Sequence, residues 1–498
     1  MSTSWPALSH LVHRFGHDTP PLDSAPAGWE PGGNTPLPKQ IAMLNVAIAG
    51  SGISGLAAAI SLRRSGHKVT IYERSSLNNE VGAAIHVPPN VGRFLVPWGM
   101  DPVKARLVEC KYMSFHNPFT LEEVIKHDHS NDPEMFGAPL RMAHRVDLHE
   151  ALKQLATDPN GPGIPAQIFV RSEVIAYDPE KPSMTLADGT VVEADLIIAA
   201  DGVHSIAAKA ITGQPMVPQP AQTNNCCYRF LIPTELLRNS PDTKWFLEGH
   251  PNDGTRIFSD IPGRRRIVTY PCRNKEFMNF VAICYNEKMS AKEEDWHASV
   301  DNSEVLEQFA GFHEGLCAVI SKATEVKRWP LLFRPPIAKW WKAKMAAIGD
   351  AAHPMLPHMA QGGAQGIEDG CAIGLVMYGV TDPSQIPQRL AVYQKVRYNR
   401  ASFIQIASNY GFDDHVQSEL ANYLEDRTMP KSVTDMVHGN YTYDVVKKVI
   451  TVMRADVDPN YELPPDFYAA AKSAAAANSN ANGHANGNAN GHANGNAH

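Results

Sequence analysis

The chain has 498 residues, 43% of them hydrophobic and 19% charged, with a formal net charge of −7. That length supports a large core and two or three subdomains, and the mild acidity argues against a general attraction to nucleic acid or anionic membranes. Seven scattered cysteines (Cys110, Cys226, Cys227, Cys272, Cys284, Cys317 and Cys371) show no C-x-x-C spacing, which predicts reduced thiols, no disulfide scaffold and no metal site.

Residues 1–42 are rich in Pro, Gly and His without a sustained period, and read as a poorly ordered extension lacking a secretory pattern. Val46–Glu73 then reads VAIAGSGISGLAAAISLRRSGHKVTIYE. Val46–Ala49 is an apolar strand, Gly50, Gly52 and Gly55 form a G-x-G-x-x-G turn, Leu56–Arg64 is a helix stopped by Gly66, and Val69–Tyr72 is a second strand ending at Glu73. Each part suits a dinucleotide. Gly50 permits a tight turn, Gly52 lets a pyrophosphate approach, Gly55 lets helix and strand pack closely, and Glu73 accepts from a ribose.

Further along, Gly82–Asn90 reads GAAIHVPPN, and Arg141–Leu155 has helical spacing with Arg145 near its start. Ile168–Ile175 and Ser183–Leu186 are strand-like, and Asp188-Gly189 is a hairpin signal. Asp195–Ser205 is a strand running into Asp201-Gly202. Residues 215–327 alternate turns with the strand-like Cys226–Ile232, Arg256–Asp260, Arg266–Tyr270 and Asn279–Tyr285. Met345–Ala352 runs from an apolar strand into Gly349-Asp350, followed by Pro354, Pro357 and a glycine-rich run from Gln361 to Gly370. A helix is expected over Gln365–Val380, with more helix to about 455. From Ala469 the chain becomes Ala, Asn, Gly and His, a composition that cannot bury a core and predicts a disordered tail. No apolar run approaches the ~20 residues of a membrane span, so a cytoplasmic location is expected.

Three strand ends of this kind suit an extended, permanently held ligand better than a nicotinamide nucleotide alone. In order and spacing they resemble the class A FAD-dependent aromatic monooxygenases, over roughly residues 43 to 400. GAAIHVPPN and GDAAHPMLPHMAQGGAQGIEDG are similar to the salicylate hydroxylase and 6-hydroxynicotinate 3-monooxygenase branch, and the Tyr-Arg-Phe-Leu and Tyr-Pro segments to fungal hydroxylases that dearomatise phenols.

The resemblance implies an α/β fold of the para-hydroxybenzoate hydroxylase type: a Rossmann-type FAD-binding domain, an interleaved β-sheet substrate domain and C-terminal helices. The implied division is 43–214 and 328–380 for the FAD domain, 215–327 for the substrate domain, 381–468 for the helices and 469–498 for the tail. FAD would be bound without a covalent link, with NADH or NADPH as cosubstrate and O₂ as oxidant. A small phenolic or hydroxy-heteroaromatic ring would be hydroxylated through a flavin C4a-hydroperoxide, with or without loss of a carboxylate, by a monomer or homodimer. Implied cofactor residues are Gly50, Gly52, Gly55, Glu73, Arg74, Ala84, Arg145, Asp201, Asp350, Gly362, Gly363 and Ala364. Implied catalytic residues are Tyr270, His86, His358 and Arg229, with either histidine as base. His353 reads as part of the flavin loop. Lys209 stands where the family often has arginine after the Asp-Gly motif, and Ala360 where it often has glycine. An isoprenoid epoxidase and a non-catalytic flavin-binding redox module are the competing readings.

Overall fold

The computed structural model describes residues 43–77, 83–220, 224–248, 251–287, 298–410, 415–424, 430 and 432–469. The expected N-terminal extension, Gly82 and all of the expected tail beyond Ala469 lie outside the described residues.

The first apolar run forms β1 (Asn45–Ala49), followed by α1 (Ile53–Arg64) and β2 (Lys68–Tyr72). The helix starts three residues before the expected Leu56 because Gly52, in extended backbone, serves as its N-cap and its carbonyl accepts from Leu56 N. Next comes β3 (Ala84–Val87). It pairs antiparallel with Arg141–His144, the stretch expected to open a helix. Met142, Ala143 and His144 are all buried there, so that edge is used as a strand, and the helix α2 begins only at Arg145 (Arg145–Thr157). The expected strand Ile168–Ile175 divides into β4 (Gln167–Phe169) and a separate strand, Val174–Asp178, with Arg171 between them at a φ of 55°. The Asp188-Gly189 hairpin joins Ser183–Leu186 to Val191–Glu193, with Gly189 at a φ of 86°. Thereafter the chain supplies β5 (Leu196–Ala199), β6 (Cys226–Pro233), β7 (Gly254–Asp260), β8 (Arg265–Cys272), β9 (Phe277–Cys284), β10 (Val326–Pro330), β11 (Met345–Ala347), α3 (Gly362–Met377) and α4 (Ile386–Tyr410).

Two sheets organise these elements. The first runs Trp341–Lys342, β11, β5, β1, β2, β4, parallel except at the Trp341–Lys342 edge. Its register aligns Ala49 with Ala199 and Ala199 with Ala347, so three strand ends finish side by side. Helices α1, α3 and α4 bury their apolar residues in the same core as this sheet.

The second sheet has eight strands: Ser299–Val300, β10, β6, β9, β8, β7, Tyr112–His116 and Glu123–Asp128. Its last two strands come from within 43–214, so this sheet is not built by 215–327 alone, as the sequence reading expected. One face carries Tyr228, Phe230, Phe258 and Phe280, packed with Leu237, Val305, Leu316 and Ile320 of short helices. The opposite face presents Cys227, Val268, Val281 and Ile283 to Leu331, Phe333 and Leu356. No described helix is long and apolar enough to cross a membrane.

Candidate functional site

The glycine turn after β1 is shaped by two close approaches. Gly50 has a φ of 95°, and a Cβ on it would lie 2.4 Å from Ala200 O. A Cβ on Gly55 would lie 2.1 Å from Gly50 O. Gly52 differs: a Cβ there meets nothing within 4 Å, so the protein itself leaves room at the point where a pyrophosphate would approach. The Ser51 N–H and hydroxyl donate to Glu73 Oε2 at 2.8 and 2.9 Å, and Ser75 N donates to Oε1 at 2.8 Å. Burial raises the Glu73 pKa, but these bonds outweigh it and leave the carboxyl below its ordinary value. Arg74, beside it, is exposed. His149 Nε2 meets Ser51 O at 2.7 Å and fixes the turn from α2.

Asp201 follows β5, half-buried, with its pKa raised by desolvation. Tyr177 donates to its Oδ2 at 2.7 Å, while Oδ1 is buried and without a hydrogen-bond partner. Such an orphaned acceptor fits a ligand hydroxyl or amide. Asp350 follows β11. Its side chain is exposed although protein crowds around it, as expected of a carboxylate lining a recess. Desolvation raises its pKa against the pull of His353, Arg145 and Arg334. The loop that carries it is anchored from behind: Asp369 accepts from Gly349 N at 2.8 Å, His353 Nε2 at 2.5 Å and Arg397 Nε at 2.8 Å. His353 is therefore a loop anchor.

Gly362, Gly363 and Ala364 form the first turn of α3, which has no acidic residue and no side-chain cap. Its free N–H groups and dipole are open to an anion or an electron-rich ring. A Cβ on Gly363 would lie 2.6 Å from Ile85 Cδ1, so Ile85 of β3 faces this helix end and, by alternation, His86 points the other way. Ala84 N donates to Asn279 Oδ1 at 3.1 Å, and its carbonyl accepts from Tyr270 OH at 2.9 Å. The N–H of Ala84 is thus committed to the second sheet.

Four expected catalytic residues meet at or beside the apolar face of the second sheet. Registers Arg229↔Val281 and Val281↔Val268 put Arg229, Val268 and Tyr270 on one face. Arg229 lies over the Trp329 ring at 4.4 Å, and its Nε is buried without a partner. The His86 ring packs on Tyr270 at 4.4 Å between centroids, with Nε2 3.3 Å from Thr255 Oγ1. Burial, then His129, lowers the His86 pKa to about 4. His358, in the loop after β11, is lowered to about 4 by burial and by Arg266, and its Nδ1 has no hydrogen-bond partner. Burial raises the Tyr270 phenol, and its proton already goes to Ala84 O, so this hydroxyl acts on a neighbour only as an acceptor.

Sequence reasoning missed four residues: Arg266, Tyr177, His149 and Asp369. Arg266 was legible, since it lies four residues before Tyr270 in a strand and so shares its face. The other three act across long sequence separations and leave no local pattern.

The geometry agrees with comparisons to known proteins. Residues 163–405 match the family model described as an FAD binding domain, and residues 48–99 match an NAD(P)-binding Rossmann-like domain. An FAD-dependent monooxygenase of Aspergillus candidus is 46% identical over 428 residues, covering 85% of this chain and 98% of its own. Hispidin-3-hydroxylase of Neonothopanus nambi is 32% identical, covering 81% and 94%. In structure, a salicylate hydroxylase substrate complex superimposes with a TM-score of 0.65 at 23% identity, over 82% of this chain and 98% of that one.

Proposed function

We propose a specific reaction from one premise: the chain belongs to the FAD-dependent monooxygenases. It hydroxylates a small phenolic or hydroxy-heteroaromatic ring, held against the second sheet as its anion. When bound, FAD takes hydride from NAD(P)H and delivers reducing equivalents to O₂, one atom of which enters the ring.

The chain's own residues do the rest. Gly50, Gly52 and Gly55 cradle the pyrophosphate beside the N-terminus of α1. Glu73 and Arg74 flank the nucleoside end. Asp201 and Asp350, each just after one of the aligned strand ends, receive the polar groups between, with Arg145 from the start of α2. The N-terminus of α3 at Gly362–Ala364 favours negative charge on the flavin by a dipole effect of up to ~2 kcal/mol. On the substrate side, Arg229 pairs with an anionic group and Tyr270 offers its oxygen as an acceptor. His86 and His358, with pKa values near 4, are neutral at pH 7 and offer an imidazole nitrogen as hydrogen-bond acceptor to a ring hydroxyl. The apolar residues Val268, Val281, Ile283 and Leu356 keep water away.

One observation carries this reading: a half-buried guanidinium, a buried tyrosine and two neutral histidines share a site with an apolar sheet face. An isoprenoid needs no such cation, and a redox module needs no such face. The test is substrate-stimulated NAD(P)H oxidation by the yellow holoenzyme. Salicylate-like acids or phenols are expected to stimulate it and to gain one oxygen atom from O₂, with CO₂ released only where the attacked carbon bears a carboxylate. Epoxidation of a terpenoid, with every phenol inert, would contradict the reading.

A further inference from the structure

Arg264, Arg265 and Arg266 are consecutive, yet strand alternation sends them to different places. Arg264 is exposed and lies 6.0 Å from the Tyr285 ring centroid. Arg265 turns to the helix-covered face, where it donates to Asp260 Oδ2 at 3.0 and 2.7 Å and to Ala310 O at 2.8 Å. Arg266 turns to the site face with Val268 and Tyr270. It is half-buried there, and among the described residues its guanidinium has no carboxylate or carbonyl partner.

A half-buried guanidinium with no protein acceptor leaves its donors for an anion on this face. Its charge is felt at His358, whose Nδ1 is also buried and unpartnered. The Arg266 charge thus acts on His358, and among the described residues neither the Arg266 guanidinium nor His358 Nδ1 has a hydrogen-bond partner. Two strand spacings, roughly 10 Å, separate β8 from β6, which carries Arg229. Val268, Val281 and Ile283 occupy the floor between them. A ring lying on that floor has a cation at each side.

We propose that Arg266 is a substrate-binding and specificity-determining residue, whose guanidinium pairs with an acidic substituent of the ring, such as a carboxylate, while His358 accepts from the ring hydroxyl and Arg229 takes a further polar group. The favoured substrates are then hydroxylated rings carrying a further acidic or acceptor group, rather than bare phenols or neutral ethers. This inference rests on the reading of the chain as an aromatic hydroxylase.

The test titrates the holoenzyme with salicylate and with salicylamide, which keeps the ring and hydroxyl but replaces the carboxylate by a neutral group. Binding is read from the perturbation of flavin absorbance. Wild type is expected to bind salicylate the more tightly. Arg266→Gln should lose about 30-fold or more in salicylate affinity, the effect of removing one partner of a buried charge pair, with salicylamide affinity and flavin absorbance nearly unchanged. Arg266→Lys, which keeps a point charge, should retain a preference for salicylate. Arg265→Gln, on the other face, should leave both affinities as they are. Equal salicylate affinity in wild type and Arg266→Gln would overturn the proposal, as would a Lys variant with no preference. Failure of the functional reading is separate: no ring would then stimulate NAD(P)H oxidation in the wild-type enzyme.

Discussion

At the scale of single residues, the glycine turn separates two demands that the G-x-G-x-x-G pattern merges. Gly55 answers to the protein, since its Cβ would fall 2.1 Å from Gly50 O, a backbone atom that cannot step aside. Gly52 answers to the ligand, since nothing of the protein lies within 4 Å of its Cβ. Gly55→Ala should therefore fail to fold or lose several kcal/mol of stability. Gly52→Ala should fold with a melting temperature near wild type when both are stripped of cofactor, yet bind FAD more weakly. Thermal unfolding of the apoproteins and flavin titration check both. Normal FAD affinity in Gly52→Ala would mean that the pyrophosphate does not pass over this residue.

The same contrast separates Asp350 from Tyr270. Asp350 follows β11 with its side chain exposed at the strand ends, and Asp350→Ala should lose FAD affinity without loss of secondary structure. Tyr270→Phe removes a donor from Ala84 O. Leaving that carbonyl unsatisfied should cost about 1 kcal/mol, with FAD retained and hydroxylation reduced. Flavin fluorescence after gel filtration, with product yield per NAD(P)H, distinguishes the two. Equal flavin loss in both variants would show that Tyr270 belongs to the cofactor side.

At the scale of elements, the position of α3 depends on how closely it packs on α1. Gly366, Gly370 and Gly374 recur every four residues and so line one face of α3. A Cβ on Gly366 would lie 2.0 Å from Ser54 Oγ, one on Gly370 2.4 Å from Ala58 N, and one on Gly374 2.1 Å from Ser61 Oγ. Gly370 abuts backbone, so Gly370→Ala must push the helices apart. It should cost about 1–3 kcal/mol or more through overpacking, and weaken FAD binding by moving the helix N-terminus. Gly439, in the helix Val433–Thr442, has open space around its Cβ. Gly439→Ala should stabilise by up to about 1 kcal/mol. Denaturant midpoints measured at saturating FAD compare the pair, and a Gly370→Ala variant as stable as Gly439→Ala would refute the close-packing account.

This element scale is also where the sequence was most and least legible. The opening βαβ unit was readable because strand, turn and helix are contiguous, each with its own local signal. The three strand ends at Ala49, Ala199 and Ala347 were readable because each is followed by a Gly or Asp-Gly motif. Arg141–His144 was not, since its residues also fit a helical stripe and only pairing with β3 decides for a strand. The recruitment of Tyr112–His116 and Glu123–Asp128 into the second sheet was equally invisible, being a pairing across more than a hundred residues. Ala360 shows a partial signal. It stands where the family often has glycine, and its φ of 51° is the left-handed backbone that glycine adopts without strain.

At the scale of the whole molecule, buried neutral histidines set the acid limit. His67 is fully buried; Leu44 N donates to its Nδ1 at 3.3 Å, and its Nε2 lies 3.1 Å from Met377 O. With Nδ1 an acceptor and Nε2 the donor, the ring is complete as the neutral form. Burial lowers its pKa to about 4, and His86 and His358 are lowered to about 4 for the same first reason. In the unfolded chain each titrates near 6.5. The unfolded state thus binds protons that the folded state refuses, and stability falls as pH drops from about 6.5 to about 4. For His67 this amounts to on the order of 3 kcal/mol. Glu73, Glu368 and Asp369 have pKa values below ordinary. Their contribution is present above the ordinary carboxylate range and is lost only as pH falls below it. The histidine loss therefore precedes the carboxylate loss. His67→Gln keeps an acceptor and a donor but does not titrate. At constant excess FAD, its melting temperature should depend less on pH between 6.5 and 4 than that of wild type, while the two curves run parallel above pH 7. Identical slopes in the acid window would place the acid sensitivity elsewhere, with the carboxylates around Arg397 the next groups to test.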